Sequence, residues 1–223
     1  RVLDLGCGDG IATLVLQDRY AHVVGVDLSP TMLAEARQRG VVDTRVANGN
    51  DLKGAGIEAN EFDAVFSNYG KLKALHWMAD GPEKVVQGMH RCLKPGGILV
   101  AKLGGHQTMS SICAPLMAIL DTYGLTKLPV PLYFPTEDEY RGLLEQYGFQ
   151  VDSIETEPTV LNLPITLRQY IELFAGPLLG DWADDEKRRD VFDRLERSMQ
   201  SATCRNGKFH MNYAHLNVVA RKL

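Results

Sequence analysis

The chain opens on an apolar run, Val2-Leu-Asp-Leu5, which breaks into glycines at alternate positions, Gly6, Gly8 and Gly10. A helical spacing follows at Ile11, Leu14 and Val15. The same alternation of short apolar runs and helical stripes recurs through the first hundred residues. It predicts strands at 2–6, 22–27, 42–47, 62–67 and 97–103, and helices at about 11–19, 30–39 and 82–93. Strands that alternate with helices build a doubly wound, mostly parallel α/β sheet. Ser29-Pro30 starts a helix that Gly40 ends. Lys94-Pro-Gly-Gly97 reads as a turn from helix to strand.

The pattern changes after residue 103. An apolar helix is expected over 108–121, then an extended proline-stiffened stretch over 128–135. Thr136 and Glu139 form a capping box for a helix with apolar Tyr140, Leu143, Leu144 and Tyr147, stopped by Gly148. A strand at 149–157 leads into a helical insert at about 158–208. Thr166 and Gln169 cap the insert's first helix, which stops at Gly176-Pro177. Its second helix carries the stripe Val191, Phe192, Leu195 and Met199. A strand at 209–221 closes a single domain spanning 1–223.

The glycine turn between a strand and a helix is a nucleotide-type cradle. Glycines let a ligand approach the backbone, and a helix start offers N–H groups to an anion. A dinucleotide fingerprint needs Gly-x-Gly-x-x-Gly, and its last position is Ile11 here. That argues against a nicotinamide dehydrogenase. The next strand ends on Asp27, about 20 residues downstream, placed to accept from both ribose hydroxyls of an adenosine.

Composition narrows the picture. With 223 residues and 45% apolar content the chain can fill one core, and its net charge of −4 argues against a dedicated nucleic-acid surface. Cys7, Cys92, Cys113 and Cys204 show no Cys-x-x-Cys spacing, which points to a reducing, cytoplasmic setting without structural zinc. Cys7 reads as a small residue fitting the turn, not a nucleophile. No stretch reaches transmembrane length and no signal peptide is visible. Arg1 precedes the first strand at once, so an N-terminal lid segment is expected to be missing from the sequence.

Leu3-Asp-Leu-Gly-Cys-Gly-Asp-Gly10, Val24-Gly-Val-Asp-Leu-Ser-Pro-Thr-Met-Leu33, Asn50-Asp-Leu52, Phe62-Asp-Ala-Val-Phe-Ser-Asn68 and Leu93-Lys-Pro-Gly-Gly97 occur in order. Together they resemble the class I S-adenosylmethionine-dependent methyltransferases. Ala74-Leu-His-Trp77, Lys102-Leu-Gly-Gly-His106, Phe134-Pro-Thr-Glu-Asp-Glu-Tyr140 and Asn212-Tyr213 with Val218-Val-Ala-Arg-Lys222 are similar to the trans-aconitate methyltransferase-like group, more loosely. The resemblance implies a seven-stranded Rossmann-like sheet of order 3-2-1-4-5-7-6, its last strand antiparallel. It implies S-adenosylmethionine as cofactor and a small-molecule methyl acceptor, some relatives acting on carboxylates.

The resemblance also distributes roles. Gly6, Cys7, Gly8 and Gly10 would wrap the methionine portion. Asp4 would attract its ammonium group, or else cap the turn's helix. Asp27 would hold the ribose, Leu28 would pack on adenine, Asp51 would accept from its amino group or else serve as a loop turn residue, and Leu52 would add an apolar contact and a backbone N–H. Asn68 would face the methyl group. Ser67-Asn-Tyr-Gly70 lacks the prolines of the Asn-Pro-Pro-Tyr motif found where adenine or glutamine amines are methylated.

His76 is the candidate proton acceptor, or with Trp77 a buttress of the cofactor loop. Trp77, His106, Tyr133 and Tyr213 are candidate acceptor contacts, each equally readable as packing. Arg168 reads better as a solvated helix arginine than as a carboxylate partner. Tyr69-Gly-Lys-Leu-Lys-Ala74 lengthens the loop before His76 relative to the group. No histidine or carboxylate spacing suggests a metal. A malonyl-carrier-protein methyl ester synthase and a non-catalytic cofactor-binding module are the competing readings.

Overall fold

The computed structural model describes residues 1–68, 81–206 and 208–223. They fall into two compact units. The first comprises Arg1–Gly105, Pro135–Glu157 and His215–Leu223. The second comprises His106–Phe134 and Pro158–Ala214.

The first unit carries the sheet. β1 (Val2–Leu5) is buried at every position and lies between β2 (Val23–Asp27) and β4 (Phe62–Asn68), parallel to both. A strand covered on both faces must be apolar throughout, which explains Val2, Leu3 and Leu5 and makes buried Asp4 the exception. β3 (Asp43–Val46) forms one edge, with Val46 opposite Asp27. β5 (Leu93–Gly104) pairs with β4, and β8 (Lys208–Lys222) pairs with β5 in the antiparallel sense from Ile98↔Arg221 to Gly104↔His215. β6 (Phe149–Leu163) lies beyond β8, and the two-residue β7 (Cys204–Arg205) pairs only with β8. The order β3-β2-β1-β4-β5-β8-β6 is the expected one, renumbered by that short extra strand.

The helices begin where the sequence places them. α1 (Ile11–Gln17) follows Gly10, and α2 (Pro30–Arg39) is capped by the Ser29 hydroxyl and ends on left-handed Gly40. α3 (Pro82–Cys92) buries Val85, Val86, Met89 and Cys92 at helical spacing. α5 (Glu137–Gln146) starts with the full Thr136–Glu139 capping box. Lys94-Pro-Gly-Gly97 is a bulge inside β5 instead of a separate turn: Phe62 pairs with Leu93 and Ala64 with Ile98.

The second unit contains α4 (Ser110–Asp121), α6 (Leu167–Leu179) and α7 (Asp185–Thr203). The Thr166–Gln169 capping box opens α6. α7 buries Val191, Leu195 and Met199 and packs on both α4 and α6. Because α4 packs there, the helical unit draws on residues 106–134 as well as 158–214, and is larger than the 158–208 insert expected. β6 also runs on to Leu163, past the expected end at 157.

Candidate active site

The glycine turn is fixed by hydrogen bonds to β2. The amides of Gly6 and Cys7 both donate to the Val26 carbonyl, at 2.8 and 2.9 Å. The Gly8 amide donates to Asp27 Oδ2 at 3.0 Å, and the Gly10 amide to the Cys7 carbonyl at 3.0 Å. Those four amides are therefore satisfied inside the protein. The turn uses these amides to hold its own shape, so they are not offered to a ligand. Carboxylates remain, and they suit a cation.

The three glycines do different things. All have positive φ: 81° at Gly6, 55° at Gly8 and 81° at Gly10. A Cβ on Gly10 would lie 2.5 Å from Val41 Cγ2 and 2.9 Å from Ala36 Cβ, so this glycine serves helix packing. A Cβ on Gly8 would meet only Met32 Cε, at 3.7 Å, leaving the turn approachable there. Buried Cys7 fits against Gly25, whose absent Cβ would lie 3.0 Å from Sγ. Burial pushes its thiol up to about 12, so it holds no thiolate near neutral pH.

Two carboxylates flank the turn. Asp4 is buried and accepts a 2.6 Å hydrogen bond from Thr13 Oγ1. Burial raises its pKa to about 6, against the lowering effect of the Thr13 hydroxyl, and the Asp27 charge raises it further. Its partner in α1 is the Thr13 hydroxyl and not a backbone amide of the first turn, so Asp4 does not act as a helix cap. Asp27 accepts from Gly8 N through Oδ2 and from Ser29 N at 2.8 Å through Oδ1. A carboxylate has about four acceptor positions, so Asp27 can hold the turn and still accept from a diol. Leu28 beside it is 54% exposed, an apolar surface at the sheet's carboxyl edge.

The loop after β3 departs from expectation. Asn48 stands at the carboxyl end of β3, next to Ala47, whose amide donates to the Asp27 carbonyl at 3.0 Å. Asp51 lies further along and turns back on its own loop, accepting from Gly54 N at 2.8 Å. Leu52 is buried, 3.3 Å from where a Gly88 Cβ would be. Its side chain belongs to the core, which leaves the backbone N–H as the contact it could offer. Asn68 is exposed at the end of β4, and the neighbouring Ser67 hydroxyl donates to the Leu5 carbonyl at 3.0 Å.

Residues 3–101 match the model of a methyltransferase domain family. An uncharacterized methyltransferase of Schizosaccharomyces pombe is 32% identical over 234 aligned positions, covering 99% of this chain and 86% of the relative. The chain is a class I S-adenosylmethionine-dependent methyltransferase. A trans-aconitate 2-methyltransferase of Variovorax paradoxus is 26% identical over 91% of this chain and 73% of its own length. The fold matches the crystal structure of a putative methyltransferase from Bacillus halodurans at TM-score 0.64 and 16% identity, covering 99% of this chain and 91% of that one.

The described residues fit the methyltransferase cofactor. Gly8 is open, Asp27 keeps acceptor capacity, Leu28 is exposed, and buried Asp4 is a carboxylate that can meet a cation. Among the described residues no group of three or more His, Cys, Asp or Glu could hold a metal ion.

The remaining candidates divide by position. His76 and Trp77 lie outside the described residues. His106, Tyr133 and Tyr213 belong to the helical unit. His106 is exposed, in a turn where Gln107 and Met109 adopt positive φ of 71° and 58°. Tyr133 lies in the irregular 128–135 stretch, which is tied to α6 by Val130 N donating to the Leu178 carbonyl. Tyr213 is buried, its hydroxyl 3.1 Å from that of Tyr170, and Tyr170 stacks on Phe174 at 4.2 Å. Sequence reasoning missed Tyr170, because a tyrosine on a buried helix stripe carries no mark of its hydroxyl's partner. Arg168 ion-pairs with Glu172, Asp193 and Glu196 and holds α6 to α7.

Proposed function

We propose that this methyltransferase acts on a small molecule, foremost a free carboxylate, by in-line displacement. S-adenosylmethionine supplies an electrophilic methyl group on a sulfonium centre. The protein's contribution is position and exclusion of water, which in favourable cases is worth about 7–11 kcal/mol. Asp4 attracts the ammonium end, the Gly6–Gly10 turn borders the methionine portion, and Asp27 accepts from the ribose. Leu28 packs on the adenine, Asn48 is better placed than Asp51 to meet its polar edge, and Asn68 faces the methyl group. His76, Trp77, His106, Tyr133 and Tyr213 are the proposed acceptor contacts. A carboxylate is already ionised at neutral pH and requires no base, so His76 orients rather than deprotonates.

The observation that carries this reading is the reach of the similarity to a trans-aconitate 2-methyltransferase across 91% of the chain, the helical unit included. The four cysteines are all free, which fits a reducing compartment such as the cytoplasm. None of the described helices is long and apolar enough to cross a membrane.

The test uses cofactor tritiated at the methyl group. Trans-aconitate, a panel of free mono- and dicarboxylic acids, carrier-bound malonate and an oligonucleotide are each offered as acceptor. A base-labile methyl ester on a free acid is expected. Label confined to carrier-bound malonate would make this a carrier-dependent ester synthase. A base-stable product would rule out carboxylate methylation. Cofactor binding without turnover across the panel would leave a binding module.

A further inference from the structure

We propose that Thr13 is a positioning residue for the cofactor, its hydroxyl holding the Asp4 carboxylate ionised and correctly oriented for the cofactor's ammonium group. The inference rests on the reading that Asp4 faces that group. Its basis is a buried pair: Thr13 and Asp4 are 0% and 1% exposed, and Thr13 Oγ1 lies 2.6 Å from Asp4 Oδ2. An O–H···O⁻ bond of that length is charge-assisted and favours the ionised acid.

Among the described residues, two influences on Asp4 oppose its ionisation. Burial does so most strongly, and Asp27 on β2 adds a like charge. Cys7 in the turn is a neutral thiol whose own ionisation Asp4 disfavours. From β4 the residue in register is Phe66, which carries no charge. Among the described residues the Thr13 hydroxyl is the influence that lowers the Asp4 pKa. A bound ammonium needs a carboxylate, so affinity depends on how readily this acid loses its proton.

Thr13 divides its two substituents between two tasks. Its methyl group lies 3.5 Å from where a Gly25 Cβ would be and packs on β2, while its hydroxyl serves Asp4. Substitution separates these. Thr13→Val keeps the shape and packing and removes the hydroxyl. Thr13→Ser keeps the hydroxyl and removes the methyl.

The experiment measures S-adenosylhomocysteine affinity by calorimetry between about pH 5.5 and 8.5, since this product retains the ammonium group. The unaltered protein should lose affinity on the acid side of the Asp4 transition, by up to about tenfold per pH unit. Thr13→Val should move that transition upward by about one pH unit and bind as tightly as the unaltered protein at the alkaline end. Thr13→Ser should restore the original profile. A loss of affinity in Thr13→Val that is equal at every pH, or a Thr13→Ser profile that follows Val, overturns the proposal. Thr13→Ala takes the place of Val if thermal unfolding shows that Val does not fold. Asp4→Asn separates the two levels. Undiminished binding by Asp4→Asn removes the Asp4 reading itself. Weak, pH-independent binding by Asp4→Asn with an unshifted Thr13→Val profile removes only the role of Thr13.

Discussion

The carboxyl end of the sheet and the helical unit are held by different kinds of constraint. At the sheet edge the backbone dictates residue identity. Gly6, Gly8 and Gly10 sit at positive φ, a single Val26 carbonyl accepts two amides, and Asp27 bonds two more. In the helical unit side chains meet side chains. Tyr170 stacks on Phe174, and Arg168 spans three acids across α6 and α7. Apolar stripes can be filled in many ways, whereas a left-handed turn against a neighbouring helix admits one residue. A position of the first kind should fail sharply on substitution, and one of the second kind gradually.

Gly10→Ala is the strongest way to break that contrast. Its Cβ would stand 2.5 Å from Val41 Cγ2 in a left-handed backbone, and overpacking plus strain should cost about 3 kcal/mol or more. Gly8→Ala meets nothing closer than 3.7 Å and should cost about 1–2 kcal/mol, from its φ alone. Urea unfolding of both variants measures the difference. Equal losses would mean that packing against α2 does not distinguish these glycines.

Asp4 gives the next effect. Its folded-state pKa is raised from 3.8 to about 6, so the folded chain binds its proton more tightly than the unfolded chain does. The stabilisation is full below the unfolded value and is lost as pH rises through 6, a difference of about 3 kcal/mol at most. Asp4→Asn should therefore be at least as stable as the unaltered chain at pH 7, while losing cofactor affinity. Unfolding curves at pH 5 and pH 7 test this in the ligand-free protein.

In the helical unit, Arg168→Ala should cost only about 1 kcal/mol, because its partners are largely solvated. The loss should shrink in high salt and leave cofactor affinity unchanged. The smallest effects are expected in the loop after β3. Asn48→Ala should weaken S-adenosylhomocysteine binding about fivefold, the worth of one ordinary hydrogen bond. Asp51→Ala should change it by less than about twofold: both side chains accept from their own loop, but Asp51 lies further from the end of β3.

The same contrast governs what could be read from the chain itself. The turn, Asp27 and both capping boxes were legible because each demands particular residue types at fixed spacing. The insertion of β8 between β5 and β6 was not. Periodicity marks a strand without naming its neighbours, and only the family resemblance supplied that order. Leu52 and Asp51 show a finer failure. An aperiodic loop does not reveal which side chain turns inward, and here Leu52 enters the core beside Gly88 while Asp51 folds back. The consumption of the glycine amides was equally hidden, since it depends on how close β2 comes to the turn.

The bond from Gly8 to Asp27 makes one carboxylate answer to two demands. An amide at position 27 would turn its NH₂ toward a backbone donor on one side and so loosen the loop before any nucleoside arrived. The residue proposed to hold the ribose is thus also a structural pin. Drift toward a different nucleotide at this position would first have to rebuild the β1–α1 turn it fastens.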